Sequence, residues 1–394
     1  MKILYITLED LSLHKGSVVH VKEVVKGLMK LRNQVGLIAR ASSSYESEVD
    51  RFYNLQRGTV LSLRFLGIKR QPYLISSLFL FLQIMLHLSQ YDIIYARDFH
   101  TVMVAFLPRL ILRKKLVFEM NGIANEEEKL RRHSMFRRLF TFCIEKAEWM
   151  AAFSADRIVA VTPHIASYLV DHFRCNPEIV EVVENGVDTE IFRTISDETI
   201  LKALRQRLGI GEKEVVVTFV GNLAPWQGME YLIQVAPSLT KRLPSIRFLI
   251  IGSGVLKEKF QAQVQSLGMS DRFIFTGMVD YEKIPPYINI SDICLVLKRR
   301  LASGYSPIKL FEYMACGKPV LASRVEGLEF IEIEEVGLLT EPEDVTSIEK
   351  GLIELIETPQ KRIEMGFKGR ELAQEKFDWK LRVKRITEIL EGLA

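Results

Sequence analysis

The stretch "EVVVTFVGNLAPWQGMEYLIQVAPSLTKRLPSIRFLIIGSG" (Glu214–Gly254) decides the fold class of this chain. An apolar, β-branched run, "EVVVTFV", is followed by a turn that contains proline and glycine, and then by an amphipathic segment. A second apolar run, "IRFLII", closes the unit. Strand, loop, helix and strand in this order predict a βαβ unit, whose parallel strands are joined by a right-handed crossover.

The same pattern occurs near the amino terminus. "KILYIT" (Lys2–Thr7) predicts a strand, "HKGSVVHVKEVVKGLMKL" (His14–Leu31) a glycine-containing loop and a helix, and "QVGLIAR" (34–40) a second strand. The predicted apolar face of this helix is formed by Val21, Val24, Val25, Leu28 and Leu31. Each half of the chain therefore opens with its own βαβ unit.

Six more apolar runs predict further strands, three in each half: "YDIIYARD", "KLVFEMNG" and "RIVAVT", then "RFIFTGMV", "DICLVL" and "KPVLAS". The apolar pattern lapses between Asn185 and Thr199. We therefore predict two doubly wound α/β domains, residues 1–190 and 191–378. Ligands of such sheets bind beyond the carboxyl ends of the strands, so the site is expected at strand ends that face an interdomain cleft.

The composition is that of a folded soluble protein, because 48% of the residues are hydrophobic and 26% are charged. A length of 394 residues favours two domains, and a net charge of +4 gives no reason to expect nucleic acid as a partner. The four cysteines are scattered without a CxxC pair, which argues against a disulfide framework or a zinc site. The apolar run in "MKILYITLED" is too short for a signal peptide, so we expect a cytoplasmic protein.

One segment, "YLISSLFLFLQIMLHL" (Tyr73–Leu88), is unusually apolar. It is shorter than the roughly 20 residues of a membrane-spanning helix. One interpretation is a buried or groove-lining helix. The other is a helix that dips into a membrane surface, at the inner face of the membrane, with help from Lys69, Arg70 and the basic runs 113–115 and 131–138.

A second stretch, "SPIKLFEYMACGKPVLAS" (Ser306–Ser323), predicts a short helix that runs into a strand. Ser306 suits the N-cap and Pro307 the first helical position, so the helix is expected from about Pro307 to Cys316. Its buried side is predicted to consist of Leu310, Phe311, Met314 and Ala315, with Lys309 and Glu312 on the other side.

Lys309 lies in the first turn, where the helix dipole disfavours a cation. It makes sense there if an anion such as a phosphate binds the helix start, to which Arg299 and Arg300 are also close in sequence. The alternative is a surface ion pair between Lys309 and Glu312. A carboxylate at Glu312 can accept hydrogen bonds from sugar hydroxyls, and an anion site beside it indicates a nucleotide sugar.

Together with "FVGNLAPWQGMEYLIQVAPSL", "FLIIGSG", "FTGMVDYEKIPPYINISDICLVL" and "VENGVDTEIF", this stretch resembles the family-four (group 1) glycosyltransferases of the GT-B fold. The resemblance spans nearly the whole chain and is strongest from Val183 to Leu339. The "SPxKLFEYMA" motif resembles a variant branch. The fold that this implies is two Rossmann-like domains that face each other across a cleft, with a C-terminal helix, residues 379–394, that crosses back to the first domain.

The resemblance also implies an activity. Such enzymes transfer a sugar from a nucleotide diphosphate, usually UDP or GDP, to an acceptor, retain the anomeric configuration and need neither metal nor cofactor. The second domain holds the donor and the first holds most of the acceptor, here expected to be a carbohydrate or a lipid-linked precursor of a cell-surface polysaccharide or glycolipid. Glu312 corresponds to the carboxylate that binds the ribose, and Gly16 and Ser17 to a glycine loop near the phosphates.

The sequence departs from the family pattern in the diphosphate contacts. Asn222 and Gln227 stand where an arginine and a lysine are usual, Gly304 where a glutamate is common, and Asn121–Gly122 where the family has "HG". We expect Lys309 with Arg299 or Arg300 to supply the missing charge. The expected donor-binding set is Gly16, Ser17, Asn222, Gln227, Gly228, Arg299, Arg300, Ser306, Pro307, Ile308, Lys309 and Glu312.

The candidate catalytic residues are Lys309, Glu312 and Glu119. Lys309 would stabilise the leaving diphosphate, and Glu119, at a strand end, is a candidate general base or hydroxyl ligand, with a structural acid as the alternative. Asp98, His100 and Asn121 are the acceptor-side candidates, and an ordinary loop histidine is the alternative for His100.

Other classes of protein remain as alternatives. An oxidoreductase is disfavoured because neither first crossover contains GxGxxG. A nucleotide-sugar epimerase of the same fold and a non-catalytic sugar-nucleotide-binding protein stay open.

Overall fold

The computed structural model describes residues 1–11, 13, 15–40, 59–62, 73–124, 137–300 and 304–393. In these residues the chain forms two parallel sheets with helices on both faces, as the sequence predicts.

The first sheet has seven strands in the order β3-β2-β1-β4-β5-β6-β7, all parallel. Their bounds are β1 Lys2–Asp10, β2 Gln34–Arg40, β3 Thr59–Ser62, β4 Ile93–Arg97, β5 Lys115–Met120, β6 Arg157–Ala160 and β7 Val180–Val182.

The second sheet has six parallel strands in the order β10-β9-β8-β11-β12-β13. Their bounds are β8 Val215–Val220, β9 Ile246–Ile251, β10 Phe273–Gly277, β11 Ile293–Val296, β12 Val320–Ser323 and β13 Gly337–Thr340. Counted from the first strand of each half, the second sheet has the doubly wound order 3-2-1-4-5-6, and the first sheet has the same order with a seventh strand added at its end. The repetition predicted from the two βαβ units thus extends through both halves.

The helices of the first half are α1 Gly16–Lys30, α2 Tyr73–His87, α3 Phe99–Leu112, α4 Arg137–Ser154 and α5 Pro163–Ser167. Those of the second half are α6 Glu198–Arg207, α7 Met229–Arg242, α8 Lys257–Ser266, α9 Ile284–Asn289, α10 Ile308–Ala315, α11 Phe330–Ile333, α12 Val345–Glu357, α13 Pro359–Lys376 and α14 Trp379–Glu391.

Each sheet buries both of its faces, which is why its strands read as continuous apolar runs. In β1, Leu4 and Ile6 join the cluster under α2, α3 and α4, while Ile3 and Tyr5 join the cluster under α1. Four of the five residues predicted for the apolar face of α1 are buried. The fifth, Leu31, follows the helix and is exposed.

The C-terminal helix α14 crosses back to the first domain, as expected from the resemblance. Trp379, Val383 and Ile386 join the first-domain cluster around α1. The crossing is fixed by the backbone, because the Val187 and Trp379 amides donate to the carbonyls of Phe377 and Val187. The division at residues 190 and 378 stays a prediction.

The apolar segment Tyr73–Leu88 forms α2 and enters a 3₁₀ turn at Leu88. Within the described ranges, every helix is too short or too polar to cross a bilayer. Lys69, Arg70 and residues 131–136, named as possible helpers of a membrane contact, lie outside the described residues.

Candidate functional site

The candidate donor site lies at the carboxyl ends of β8 and β11, the two adjacent strands at which the order of the second sheet reverses. Such a switch point leaves a crevice above the sheet edge, because the following segments turn to opposite faces. Gln227 comes from the turn after β8, Lys298 follows β11, and Lys309 lies in the first turn of α10.

These three side chains meet. The ammonium groups of Lys298 and Lys309 both donate to one atom, Oε1 of Gln227, at 3.1 and 2.9 Å. Each ammonium also lies above an aromatic ring, Lys309 at 4.0 Å from the centroid of Phe219 and Lys298 at 4.9 Å from that of Tyr305. Two cations thus share one neutral acceptor.

Burial weakens the hold of both lysines on their protons. It lowers the pKa of Lys298 to about 8. The pKa of Lys309 is lowered well below its usual value, first by burial and then by the charge of Lys298, against a smaller opposing effect of Glu312. Removing a charge from water is costly unless an opposite charge replaces the water, so the pair favours an anionic ligand.

The strand ends are shaped to admit the lysine. Gly221, directly after β8, has φ +138°, and a Cβ there would lie 2.7 Å from Nζ of Lys309. Any other residue would clash with the ammonium and strain the backbone.

The helix start differs from the prediction in one respect. α10 begins at Ile308 with Pro307 as its N-cap, and no side chain caps it. The prediction that Ser306 is the N-cap is wrong, because Oγ of Ser306 accepts from the Asn185 amide at 3.0 Å. The Asn185 side chain also donates to the Ser306 carbonyl, at 2.7 Å.

Glu312 follows Lys309 by one turn and is only 5% exposed. Burial raises its pKa to about 7, and Tyr281 and Lys309 only partly oppose this effect. The alternative of a surface ion pair is wrong: the hydrogen bond of Lys309 goes to Gln227, and Glu312 is buried with the rest of α10.

The structure does not bring Arg299 and Arg300 to this pair. Arg299 lies 2.7 Å from Glu230 and 3.2 Å from Glu343, and Arg300 lies 3.3 Å from Glu341. Lys298, one residue earlier, reaches the site instead. Lys298 was not among the predicted site residues, although its position just beyond an apolar strand was a usable signal.

The other donor-binding candidates surround the lysine pair. Gly228 has φ +65° and packs so closely on Leu297 that a Cβ would lie 2.8 Å from the Leu297 Cβ. Asn222 is exposed beside Gly254. Across the cleft, a Cβ on Gly16 would lie 3.7 Å from Cδ1 of Ile308, so the start of α1 faces the start of α10. Gly16 and Ser17 form the first turn of α1 and are not part of a loop as predicted.

Glu119 is fully buried at the end of β5. Its carboxylate accepts from the Tyr95 hydroxyl at 2.7 Å and from the Asn121 amide at 2.8 Å, and it lies 2.9 Å from the His20 ring and 3.3 Å from Arg97.

This surrounding charge sets the protonation of Glu119. Burial alone would raise its pKa, but the charge and hydrogen bond of His20, then Arg97 and Asn121, outweigh it and lower the pKa to about 2. An enclosed carboxylate with so low a pKa is a poor proton acceptor, which favours the structural alternative for Glu119. Asn121 is part of the same network.

Asp98 and His100 lie at the start of α3. Asp98 caps this helix, because its Oδ1 accepts from the Thr101 amide at 3.1 Å, and burial raises its pKa to about 6. Nδ1 of His100 lies 3.8 Å from Asp98, and burial lowers the pKa of His100 to about 4. The two lie next to the network of Glu119 and Asn121, because the Asp98 amide donates to the Glu119 carbonyl at 3.1 Å.

A chain of contacts joins the two halves of the site. The His20 ring lies 2.9 Å from Glu119 on one side and 2.7 Å from Oδ1 of Asn185 on the other. Asn185 in turn binds Ser306, which precedes α10. Gly304, at φ +65°, faces His164 of the first domain. The start of α10 is therefore connected to the buried network of the first domain.

Among the described side chains, no group of three histidine, cysteine or carboxylate residues is arranged to hold a metal ion. The expectation that no metal is needed remains a prediction.

Two family models match the chain. Residues 14–191 match "Glycosyltransferase Family 4" and residues 202–372 match "Glycosyl transferases group 1", so that the two leave out only short segments at the ends and between the domains.

A GDP-mannose-dependent alpha-(1-6)-phosphatidylinositol monomannoside mannosyltransferase of Mycolicibacterium smegmatis is 29% identical over 243 residues. The match covers 60% of this chain and 63% of that protein, so the chain spans less than two thirds of the relative.

Solved structures are similar over the whole length. Sucrose-phosphate synthase from Thermosynechococcus elongatus has a TM-score of 0.79 at 19% identity, over 100% of this chain and 98% of that one. Anabaena Alr3699/HepE in complex with UDP has a TM-score of 0.78 at 22% identity, over 100% of both chains. These likenesses show the GT-B fold.

Proposed function

Because the chain belongs to the group 1 glycosyltransferases, we propose that it transfers a sugar from a nucleotide-diphosphate sugar to an acceptor. The observation that carries this proposal is the buried pair Lys298 and Lys309, which share the neutral oxygen of Gln227 at the switch point of the second sheet. A diphosphate carries two negative charges, which match the two ammonium groups.

The two lysines provide most of the electrostatic stabilisation of the leaving diphosphate. Negative charge develops on the leaving diphosphate as the bond to the anomeric carbon breaks, through an oxocarbenium-like transition state. Two fixed ammonium groups in a buried site stabilise that charge without reorganising. The same diphosphate can take the acceptor proton, and such transfer on one face of the sugar retains the anomeric configuration.

Glu312 is proposed to bind the ribose. Glu312 lies one helical turn after Lys309. A nucleotide whose phosphates contact Lys309 can therefore place its ribose at Glu312. The start of α1 at Gly16 and Ser17 lies opposite, where its amides can meet the phosphates when the domains close. No cofactor or metal is included in this proposal.

The donor is proposed to be UDP- or GDP-linked. A relative is named GDP-mannose-dependent, and a solved structure of the same fold was determined with UDP. The acceptor is proposed to be a carbohydrate or a lipid-linked precursor, at the cytoplasmic face of a membrane that α2 contacts. The M. smegmatis relative, a phosphatidylinositol monomannoside mannosyltransferase, supports a lipid-linked acceptor.

An epimerase and a non-catalytic binder make different predictions. Only a transferase releases nucleoside diphosphate in proportion to added acceptor. An epimerase converts the donor without an acceptor, and a binder does neither.

The test begins with a screen of nucleotide sugars by thermal shift. For the sugar that binds, Lys309→Met and Lys298→Met should each raise the Kd about tenfold to a hundredfold, because each removes a charged hydrogen bond. Glu312→Ala should weaken the binding of the nucleotide sugar but not of inorganic pyrophosphate. Lys283→Met, at an exposed lysine of the same domain, is the matched control. If the lysine variants bind the donor like wild type, the assignment of the site fails.

A further inference from the structure

Three adjacent helices of the first domain, α2, α3 and α4, share an exposed apolar surface, here called the three-helix face. α3 lies between the other two and packs on both. The face consists of Leu78, Leu82, Leu86, Phe106, Leu107, Leu110, Ile111, Phe142, Trp149, Met150 and Phe153.

This concentration is unusual within the part of the chain that the structure describes. Eleven of its 22 exposed large apolar side chains lie on these three helices. On α2 the exposed apolar residues recur every four positions, and on α3 they form two adjacent pairs that are four positions apart. Each helix therefore presents an apolar stripe. Exposed apolar surface gathered in this way marks a binding surface, whereas single exposed residues do not.

The charges around the face favour an anionic partner. α2 and α3 contain no acidic residue, and Arg113, Lys114 and Lys115 follow α3 directly. Lys146 lies above the rings of Phe142 and Trp149. The two acids of α4 are engaged: Glu145 lies 2.9 Å from His172, and Glu148 is buried and accepts from the Ala124 amide.

A second copy of the chain fits this surface poorly, because two such basic margins would repel each other. Apolar side chains that project between basic ones are what binds a surface of anionic lipids.

The face also contains a cavity of about 380 Å³, which is in the range of ligand sites. Its apolar lining comes from α3 and α4 and includes Met103, Val104, Ile144 and Ala147. Cys143, which is exposed, lies at its rim, so the cavity reaches the surface. Its polar lining residues include Ser77 of α2 and His100, and His100 lies beside Asp98 at the carboxyl end of β4, where the acceptor is expected.

We propose that the three-helix face sits on an anionic membrane surface and that this cavity receives a hydrocarbon chain of a lipid-linked acceptor. The geometry connects the two, because a chain that enters from the membrane side would leave its head group near His100. This inference rests on the proposed function, since it names the chemical class of the acceptor.

The membrane part is tested with vesicles of phosphatidylcholine that contain phosphatidylglycerol, and with vesicles of phosphatidylcholine alone. Wild type should sediment with the former and much less with the latter. Leu107→Glu/Ile111→Glu should reduce this binding at least tenfold. The matched control is Ile363→Glu/Phe367→Glu, equally spaced exposed residues on α13, which should bind like wild type.

Three results would overturn the membrane part. The first is binding of the Leu107→Glu/Ile111→Glu variant at wild-type level, and the second is an equal loss of binding in the control. The third is a dimer in lipid-free solution that this variant dissociates, since a second copy would then cover the face.

The cavity is tested with a polarity-sensitive fluorophore on Cys143, the exposed one of four cysteines. Dodecyl maltoside, a single alkyl chain on a sugar, should shift the emission saturably below its micelle concentration. Ala147→Phe, which fills the cavity, should weaken this response at least tenfold and leave vesicle binding intact. An unchanged response in Ala147→Phe would refute the cavity as the chain site.

Donor binding separates this inference from the proposed function. If wild type binds vesicles and dodecyl maltoside as expected but no nucleotide sugar, the proposed function fails and the lipid site stands. If it binds the donor and the lipid responses are absent, the lipid site alone fails.

Discussion

Lys298 and Lys309 are the residues on which the proposed donor site depends. Neither forms an ion pair with a carboxylate in the described part of the chain, and both are held by one amide oxygen. Their charge in the free protein is therefore poorly compensated. The bound ligand has to supply the missing negative charge, which makes ligand affinity depend on protonation.

Donor affinity should consequently be highest near neutral pH and fall on both the alkaline and the acidic side, because the pKa values of both lysines are lowered and that of Glu312 is raised. Above about 8, Lys298 loses its proton, because burial has lowered its pKa to about that value. Below about 7, Glu312 gains a proton, because burial has raised its pKa to about that value, and one of its two accepting oxygens then becomes an O–H donor. The Kd should rise by up to about tenfold per pH unit on either side. Titration calorimetry across pH 6 to 9.5 measures it.

The same reasoning predicts proton uptake on binding above pH 8. An anion raises the lowered pKa values of the lysines, so calorimetry in two buffers of different ionisation enthalpy should show protons taken from the buffer. Glu312→Gln should remove the rise of the Kd at acidic pH and leave the rise at alkaline pH unchanged. A pH-independent Kd in wild type would contradict the assignment of both groups.

Glu119 is a residue whose two interpretations can be separated by stability. Glu119→Gln should destabilise the protein by about 3 kcal/mol, because it leaves Arg97 and His20 buried beside a neutral group. Urea unfolding measures this loss. Glu326→Gln, at an exposed ion pair with His164, should change stability by less than about 0.5 kcal/mol.

The lowered pKa of Glu119 also predicts how its contribution to the free energy of unfolding changes with pH. Its pKa of about 2 in the folded protein is below the usual 4.5, so its contribution is complete above the unfolded value and is lost as the pH falls through about 2. The difference between wild type and Glu119→Gln should therefore shrink below pH 4.5. A stable Glu119→Gln variant that has lost transfer activity would instead restore the general-base interpretation.

At the scale of elements, the sequence predicted the central strands and missed three edge strands. The missed strands, β3, β7 and β13, have three or four residues each and lie at sheet edges. An edge strand pairs with a neighbour on one side, so it can be short and need not be continuously apolar. The pattern of apolar residues therefore did not indicate these strands.

The site was predictable to the extent that it lies within one element. Lys309 and Glu312 were proposed as site residues from the start of α10 alone, and the structure places both in that helix. Lys298 was not predicted, because it reaches the site through a contact with Gln227, and these two residues are 71 positions apart in the sequence. Likewise, Ser306 is a residue type that suits an N-cap, but its hydroxyl oxygen accepts from the amide of Asn185, which is 121 residues away in the sequence.

The packing of α1 on α14 gives a prediction for an element. A Cβ on Gly27 would lie 2.6 Å from Cγ2 of Val383, so the two helices meet at a glycine. Gly27→Ala should destabilise the protein by about 1–3 kcal/mol through overpacking, although alanine is the better helix former. Urea unfolding of Gly27→Ala, Val383→Ala and the double variant should show that the second change offsets the first. If Gly27→Ala is stabilising, the crossing of α14 is looser than described.

For the whole molecule, the strand order reverses at one switch point in each sheet, and the start of α1 lies opposite the start of α10. The halves differ in the polar groups at the strand ends. The first half fills its strand ends with the buried network of Glu119, and the second leaves a pair of lysines there. Asn185, in the segment between the halves, binds to both.

Asn185 should therefore control how closely the domains approach each other. Asn185→Ala removes the 2.7 Å contacts with His20 and with the Ser306 carbonyl. Small-angle scattering should then give a larger radius of gyration for the free protein, and the donor should be hydrolysed more often per transfer, because water enters a cleft that closes less well. Asn176→Ala, at an exposed asparagine that binds only within its own turn, is the matched control and should behave like wild type. An unchanged scattering profile together with an unchanged ratio of hydrolysis to transfer would mean that α14 and the backbone pairing at Val187 hold the domains without help from this side chain.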